Sequence, residues 1–149
     1  MLMSYANYSM GTIAEQSTAL RMATLRLARR LRAERADPSL SDGQFAVLGW
    51  LHKQGQLTLT QLAERERVSA PSMNRTVNCL EESGYLVREA DEADRRRSNI
   101  RLTDTGRDIV ATTLKKRDAW LTTRVRELSK EDRATLARAA ELMGDLATL

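Results

Sequence analysis

Residues 57–107 read LTLTQLAERERVSAPSMNRTVNCLEESGYLVREADEADRRRSNIRLTDTGR, and the order of signals in this run decides the fold. Thr58, with Gln61 three residues on, makes a capping box, and Leu57 and Leu62 are spaced as a hydrophobic staple across it. This opens a short helix that ends near Arg67, with Val68 packed in the turn that follows. Ser69 caps a second helix, Pro71 sits in its first turn where a missing N–H costs little, and Gly84 stops it. Met73, Val77 and Leu80 recur at helical spacing and form its inward stripe. Tyr85, Leu86 and Val87 begin a strand that ends near Ala90. Asp91 to Arg97 turn the chain, and Ser98 to Leu102 return it with Ile100 and Leu102 on one face.

The flanks are helical. Residues 12–34 form a long helix with Ile13, Leu20, Leu27 and Leu31 on one stripe, and Asp37-Pro38 ends it, because the residue before proline avoids the helical region. Ser41 with Gln44, and Leu40 with Phe45, repeat the capping box and staple; Val47, Leu48 and Leu51 carry that helix to Gly55. Thr103 caps a helix over 104–127 with Ile109, Val110, Leu114, Leu121, Val125 and Leu128 inward. Ser129 with Asp132 opens the last helix, whose stripe is Leu136, Ala140, Met143 and Leu146. The expected fold is mainly α with a small β-hairpin wing: a winged helix-turn-helix core with long terminal helices. Residues 1–36 are read as an arm and dimerisation helix, 37–103 as the winged core and 104–149 as further dimerisation helices. The first, fifth and sixth helices carry apolar stripes that so small a core cannot bury, so a second copy of the chain is expected to cover them.

Composition narrows the classes. Apolar residues make up 42% of 149, enough for a core, but aromatics only 4%, so it rests on Leu, Ala, Val, Ile and Met. Net charge is +4. The basic character is local: residues 21–35 carry Arg21, Arg26, Arg29, Arg30, Arg32 and Arg35 against Glu34, while residues 41–102 sum to zero. Local charge suits a docking surface for a polyanion better than a diffuse polycation. The single cysteine, Cys79, excludes an internal disulfide, and with no apolar run of bilayer length the expected setting is the cytoplasm, without membrane attachment. The start, MLMSYANYSMG, lacks the flanks of a signal peptide and is read as a partly ordered arm.

A helix that enters the DNA major groove must carry short or hydrogen-bonding side chains near its N-terminus. Ser69, Ala70, Pro71, Ser72, Asn74, Arg75 and Asn78 are of that kind. Asn can bridge adenine N6 and N7, Arg can bridge guanine O6 and N7, and Ser69 and Ser72 suit phosphates at the positive end of the helix. In the wing, Asp94 can hold the Arg96 guanidinium, with Arg95 or Arg97 at the tip to enter a narrow minor groove; the sequence does not fix which arginine anchors and which probes.

The chain resembles the MarR family of bacterial transcription regulators. The resemblance rests on Leu62, Ala63, Val68, Ser69, Met73, Asn74, Arg75, Val77, Leu80, Glu81, Gly84, Tyr85 and Leu86, on Asp94-Arg95-Arg96 in the wing, and on the close Leu102, Thr103, Gly106. It implies a homodimer with interleaved terminal helices, whose two recognition helices address a pseudo-palindromic double-stranded operator. It also implies repression relieved by a small lipophilic or aromatic effector held between the dimer helices and the winged core. Trp50, Met22 and Trp120 are apolar candidates for such a lining, equally readable as core. Relatives that sense peroxide use a cysteine in the first helix; here the only one is Cys79, read as a semi-buried packing residue.

No cofactor and no metal is expected: there is one histidine, His52, read as exposed and structural, and no ligand cluster. No nucleophile, base and orienting group assemble, so an enzyme is not expected. The alternative to a DNA-binding regulator is a winged-helix module for protein–protein contact, suggested by the zero charge of residues 41–102.

Overall fold

The computed structural model describes residues 11–148; the segment 1–10, most of the expected arm, lies outside the described residues. The chain divides into two compact units, one up to Ala33 and one from Glu34 onward. The first holds α1 (Ile13–Ala33), in which no residue is buried. The helix stops before Asp37, whose carboxylate instead closes a tight turn over Pro38: its Oδ1 accepts from the Ser39 N–H at 2.9 Å and the Ser39 hydroxyl at 2.6 Å.

The second unit contains α2 (Asp42–Gln54), β1 (Gln56–Thr58), α3 (Leu59–Glu66), α4 (Ala70–Glu82), β2 (Leu86–Ala90), β3 (Ser98–Leu102), α5 (Asp104–Arg126) and α6 (Lys130–Thr148). The capping boxes at Ser41 and Thr58 are both formed, and their staple partners Leu40, Phe45, Leu57 and Leu62 are all buried. Around them Val47, Leu48, Leu51, Met73, Val77, Leu80, Leu86, Ile100, Leu102 and Val110 make one aliphatic core. Each such side chain removed from water contributes about 1.5–3 kcal/mol, and truncating one costs more because a cavity is left.

The sheet has three strands, not the two of a simple hairpin. β3 is central, antiparallel to β2 and also to β1, with Leu57 opposite Ile100. In sequence β1 is three residues whose partner lies more than forty positions away, so no local pattern announces it.

Three side chains lie elsewhere than the periodicity suggests. Val68 is 41% exposed rather than packed in the turn, because Arg67 takes a left-handed conformation (φ 53°) and the Val68 N–H closes onto the Ala63 carbonyl at 3.0 Å. On α5 the buried stripe is Gly106, Val110 and Thr113, so Leu114, expected inward, is 41% exposed. Thr113 is buried in its place, and its hydroxyl accepts the Ala36 N–H at 3.1 Å. Leu121, Val125 and Leu128 are half-buried, and α6 buries nothing, with Leu136, Met143 and Leu146 exposed.

The L-T-x-x-G close has a definite job. The Thr103 hydroxyl caps α5 by accepting the Gly106 N–H at 3.0 Å and donates to the Gly84 carbonyl at 2.6 Å; the Thr103 N–H reaches the Tyr85 carbonyl at 3.1 Å. Gly84 itself sits at φ 78°, a conformation that favours glycine, and it turns the chain from α4 into β2. A third clasp joins Tyr85 to Asp37: the phenol donates to Oδ2 at 2.5 Å.

Candidate nucleic-acid interface

The roll of α4 is fixed from beneath. Met73, Val77 and Leu80 are buried, which leaves Ser69, Ala70, Pro71, Ser72, Asn74, Arg75 and Asn78 all exposed along the other side. The Ser69 hydroxyl accepts the Ser72 N–H at 3.3 Å, and Pro71 lies in the first turn. The end of the helix that concentrates free N–H groups is therefore open, the arrangement that attracts phosphate oxygens.

The hairpin tip is built by Asp91. Its Oδ1 accepts the Ala93 and Asp94 N–H groups at 2.8 and 3.1 Å, and its Oδ2 accepts from the Asn99 amide at 2.9 Å. These bonds, the Asn99 amide foremost, hold the Asp91 carboxyl below the usual carboxylate range. Asp94 does not hold the Arg96 guanidinium. Its Oδ1 accepts the Arg96 backbone N–H at 3.0 Å, and its Oδ2 lies 3.8 Å from Arg97 Nε. The reason is local: the Arg97 N–H closes a turn onto the Asp94 carbonyl at 2.9 Å, which brings those two residues, not 94 and 96, side by side. Arg95, Arg96 and Arg97 are all exposed.

One residue of this region is not singled out by sequence reasoning. Arg88, on β2, shares a strand face with the buried Leu86 and lies opposite Ile100, so its side chain leaves the core edge toward α4. Its Nη1 donates to Glu81 Oε2 at 2.8 Å, while Nη2 donates to Asn74 Oδ1 at 3.0 Å and to Asn78 Oδ1 at 2.7 Å. The available signal was a charged residue at a core-face position of an alternating strand. Between α3, α4 and the wing lies an open groove of about 560 Å³, whose polar lining includes Thr60, Glu64, Asn74, Arg88, Arg96 and Arg97.

The remaining candidates are placed as follows. Cys79 is exposed rather than semi-buried, with its Sγ 3.2 Å from Gln44 Nε2. His52 is exposed near the end of α2. Trp50 is half-buried and donates its indole N–H to Glu66 Oε1 at 2.7 Å, beneath the Arg65 guanidinium 5.6 Å from the ring centre. Trp120 is half-buried under Arg124, 3.7 Å from its ring centre, and Met22 is exposed on α1. Among the described residues no three of His, Cys, Asp or Glu gather as a metal site, and no helix is long and apolar enough to cross a membrane.

An outward polar helix, set on a short helix-turn-helix and flanked by an arginine-tipped hairpin, defines a winged helix-turn-helix protein. The model of the MarR family matches residues 39–97. An HTH-type transcriptional regulator of Mycobacterium leprae is 33% identical over 133 residues, covering 89% of this chain and 93% of its own length. The chain belongs to the MarR family. Among solved structures, a MarR family protein from Bacillus stearothermophilus matches with TM-score 0.80 and 25% identity, over 92% of this chain and 96% of that one. Staphylococcus aureus MepR, solved as a mutant bound to an oligodeoxyribonucleotide, matches with TM-score 0.68 and 25% identity, over 88% and 97% of the two chains. MepR bound to ethidium bromide matches with TM-score 0.62 and 25% identity, over 93% and 99%.

Proposed function

We propose that this chain is a cytoplasmic, homodimeric transcriptional regulator that binds a pseudo-palindromic double-stranded DNA operator. The observation that carries this reading is the exposure of the whole Ser69–Asn78 side of α4 beside the Arg95–Arg97 tip. Ser69, Ala70, Pro71 and Ser72 lie against the sugar–phosphate rail and groove edge, Asn74, Arg75 and Asn78 face base edges, and the wing, shaped by Asp91 and Asp94, lays its arginines on the neighbouring groove. The MepR structure with bound oligodeoxyribonucleotide supports the same use of the fold.

The dimer follows from unpartnered apolar surface. On α1, Ile13 is 82% exposed, with Leu20 and Leu27 exposed on the same helix; on α6, Leu146 is 59% exposed, with Leu136 and Leu142 exposed on that helix. Covered by a second copy, these helices set two α4 helices on one face of a duplex, with half-sites about 10 bp apart. We further propose that the regulator is a repressor released by a small lipophilic or aromatic ligand, which biases the dimer between binding-competent and incompetent spacings. The ethidium complex of MepR supports that part.

The test is a mobility shift of the purified protein on the DNA upstream of its own coding sequence, repeated from 50 to 200 mM salt. A specific complex that weakens by orders of magnitude over this range is expected. The zero net charge of residues 41–102 favours one competing reading, a protein–protein module on the same scaffold. Absent or salt-indifferent duplex binding would overturn the DNA-binding reading and favour that module instead.

A further inference from the structure

We propose that Arg88 is a specificity-determining positioning residue, which turns the amide oxygens of Asn74 and Asn78 toward the sheet so that α4 presents their NH2 donors outward at those two positions. The inference rests on the reading of α4 as the helix that meets base edges.

A guanidinium has donors and no acceptor, so an amide facing it must present its oxygen. Nη2 carries two hydrogens, and the two amide oxygens take one each, at 3.0 and 2.7 Å. Nη1 is held by Glu81 at 2.8 Å, which also balances the charge of Arg88. The side chain is one-quarter exposed and rooted in the three-stranded sheet beside buried Leu86, so the guanidinium cannot follow a rotating amide outward. Asn74 and Asn78 lie one helical turn apart and are both exposed, each with its NH2 group left for solvent or DNA.

The consequence is a change of code. A free asparagine bridges adenine, accepting from N6 and donating to N7. With its oxygen turned onto Arg88, each amide presents its NH2 group outward, and the partners this favours are the guanine O6 and N7, the thymine O4 and the N7 of adenine. The bidentate advantage of adenine is weakened at both positions, because the oxygen that would accept from N6 is drawn toward the sheet. Arg88 therefore sets which bases are read without touching any of them.

The experiment is selection of bound sites from a duplex library with a randomised operator, using the full-length protein in four forms: wild type, Arg88→Met, Asn78→Ala, and the double variant. In the wild type, guanine or thymine should be enriched at the positions that lose their preference on Asn78→Ala. Arg88→Met should raise adenine at those positions by about tenfold relative to wild type, the size of one bidentate base contact. In the double variant that rise should vanish, which a merely structural role of Arg88 would not produce. Thermal melts of all four forms accompany the selection, and Arg88→Gln, whose own oxygen can accept from the asparagine NH2 groups, should also shift toward adenine, which keeps the test open should Arg88→Met fail to fold. An Arg88→Met or Arg88→Gln protein that binds with unchanged base preference overturns the proposal. A wild-type protein that selects no sequence overturns the reading of α4 as well, so the two failures are distinguishable.

Discussion

The carbonyl of Tyr85 stands where a side chain on residue 106 would begin. A β-carbon built on Gly106 falls 2.9 Å from the Tyr85 carbonyl carbon and closer still to its oxygen. The obstacle is backbone, held in place by the Thr103 N–H, so it cannot rotate away. Gly106→Ala should therefore lower stability by about 1–3 kcal/mol, the usual penalty for overfilling a packed site. Denaturant titration of the two proteins measures it, and equal midpoints would refute the close approach.

The Tyr85–Asp37 clasp makes a pH prediction. Hydrogen bonds from Ser39, then from Tyr85, hold the Asp37 carboxyl below its ordinary value, and the same bond raises the Tyr85 phenol to about 12. A depressed carboxylate stabilises the fold above its unfolded value of about 3.9 and loses that effect as pH falls through the folded value. A raised phenol stabilises fully below about pH 10 and loses that effect as pH rises toward about 12. Tyr85→Phe should cost about 1 kcal/mol near neutrality, since the pair is only half-buried. It should also abolish the part of the alkaline destabilisation between those two values, which stability curves from pH 8 to 12 would detect.

Two arginines of the interface should fail differently on DNA. Arg75→Ala removes an exposed side chain from the outward side of α4 and should weaken operator binding by about 1–3 kcal/mol while relaxing preference at one base pair per half-site. Arg96→Ala, at the exposed tip, should weaken binding to every sequence alike and reduce the salt slope by about one unit. Mobility shifts on operator and scrambled duplexes over a salt series separate the two patterns. Identical effects would argue against the division between base-reading helix and backbone-contacting wing.

The terminal helices should hold the dimer. Leu136 and Leu146 are 48% and 59% exposed in one chain, so replacing both by Asp leaves the core of that chain untouched. Sedimentation of the wild type should give the mass of two chains. The double variant should sediment as a monomer with its helical content kept and its operator affinity lowered at least a hundredfold, as one half-site is lost. A wild type that sediments as one chain would remove the dimer from the functional reading.

Much of this molecule was legible before its structure. Capping residues and staple pairs marked the starts of α2, α3 and α4 because those signals act within four or five residues of each other. Met73, Val77 and Leu80 fixed which side of α4 faces inward, and hence which residues face out. What escaped were relationships across long separations or between side chains of similar chemistry. β1 depends on β3, and the exposure of Leu114 depends on Thr113 being the residue that meets the Ala36 backbone. The pairing of Asp94 follows a backbone turn that brings Arg97 beside it, rather than the charge pattern, which pointed to Arg96. Arg88 looked like one more strand arginine until the helix across from it was in view.

The central place of β3 constrains how such a protein can respond to a signal. Its edge next to β1 ends at Thr58, which is also the residue that starts α3, so the hairpin is rooted in the helical body rather than hinged to it. Bending the finger alone would tear a row of backbone bonds on one side or the other. A displacement of the base of the finger would therefore carry α3 with it, the two moving as one stiff paddle.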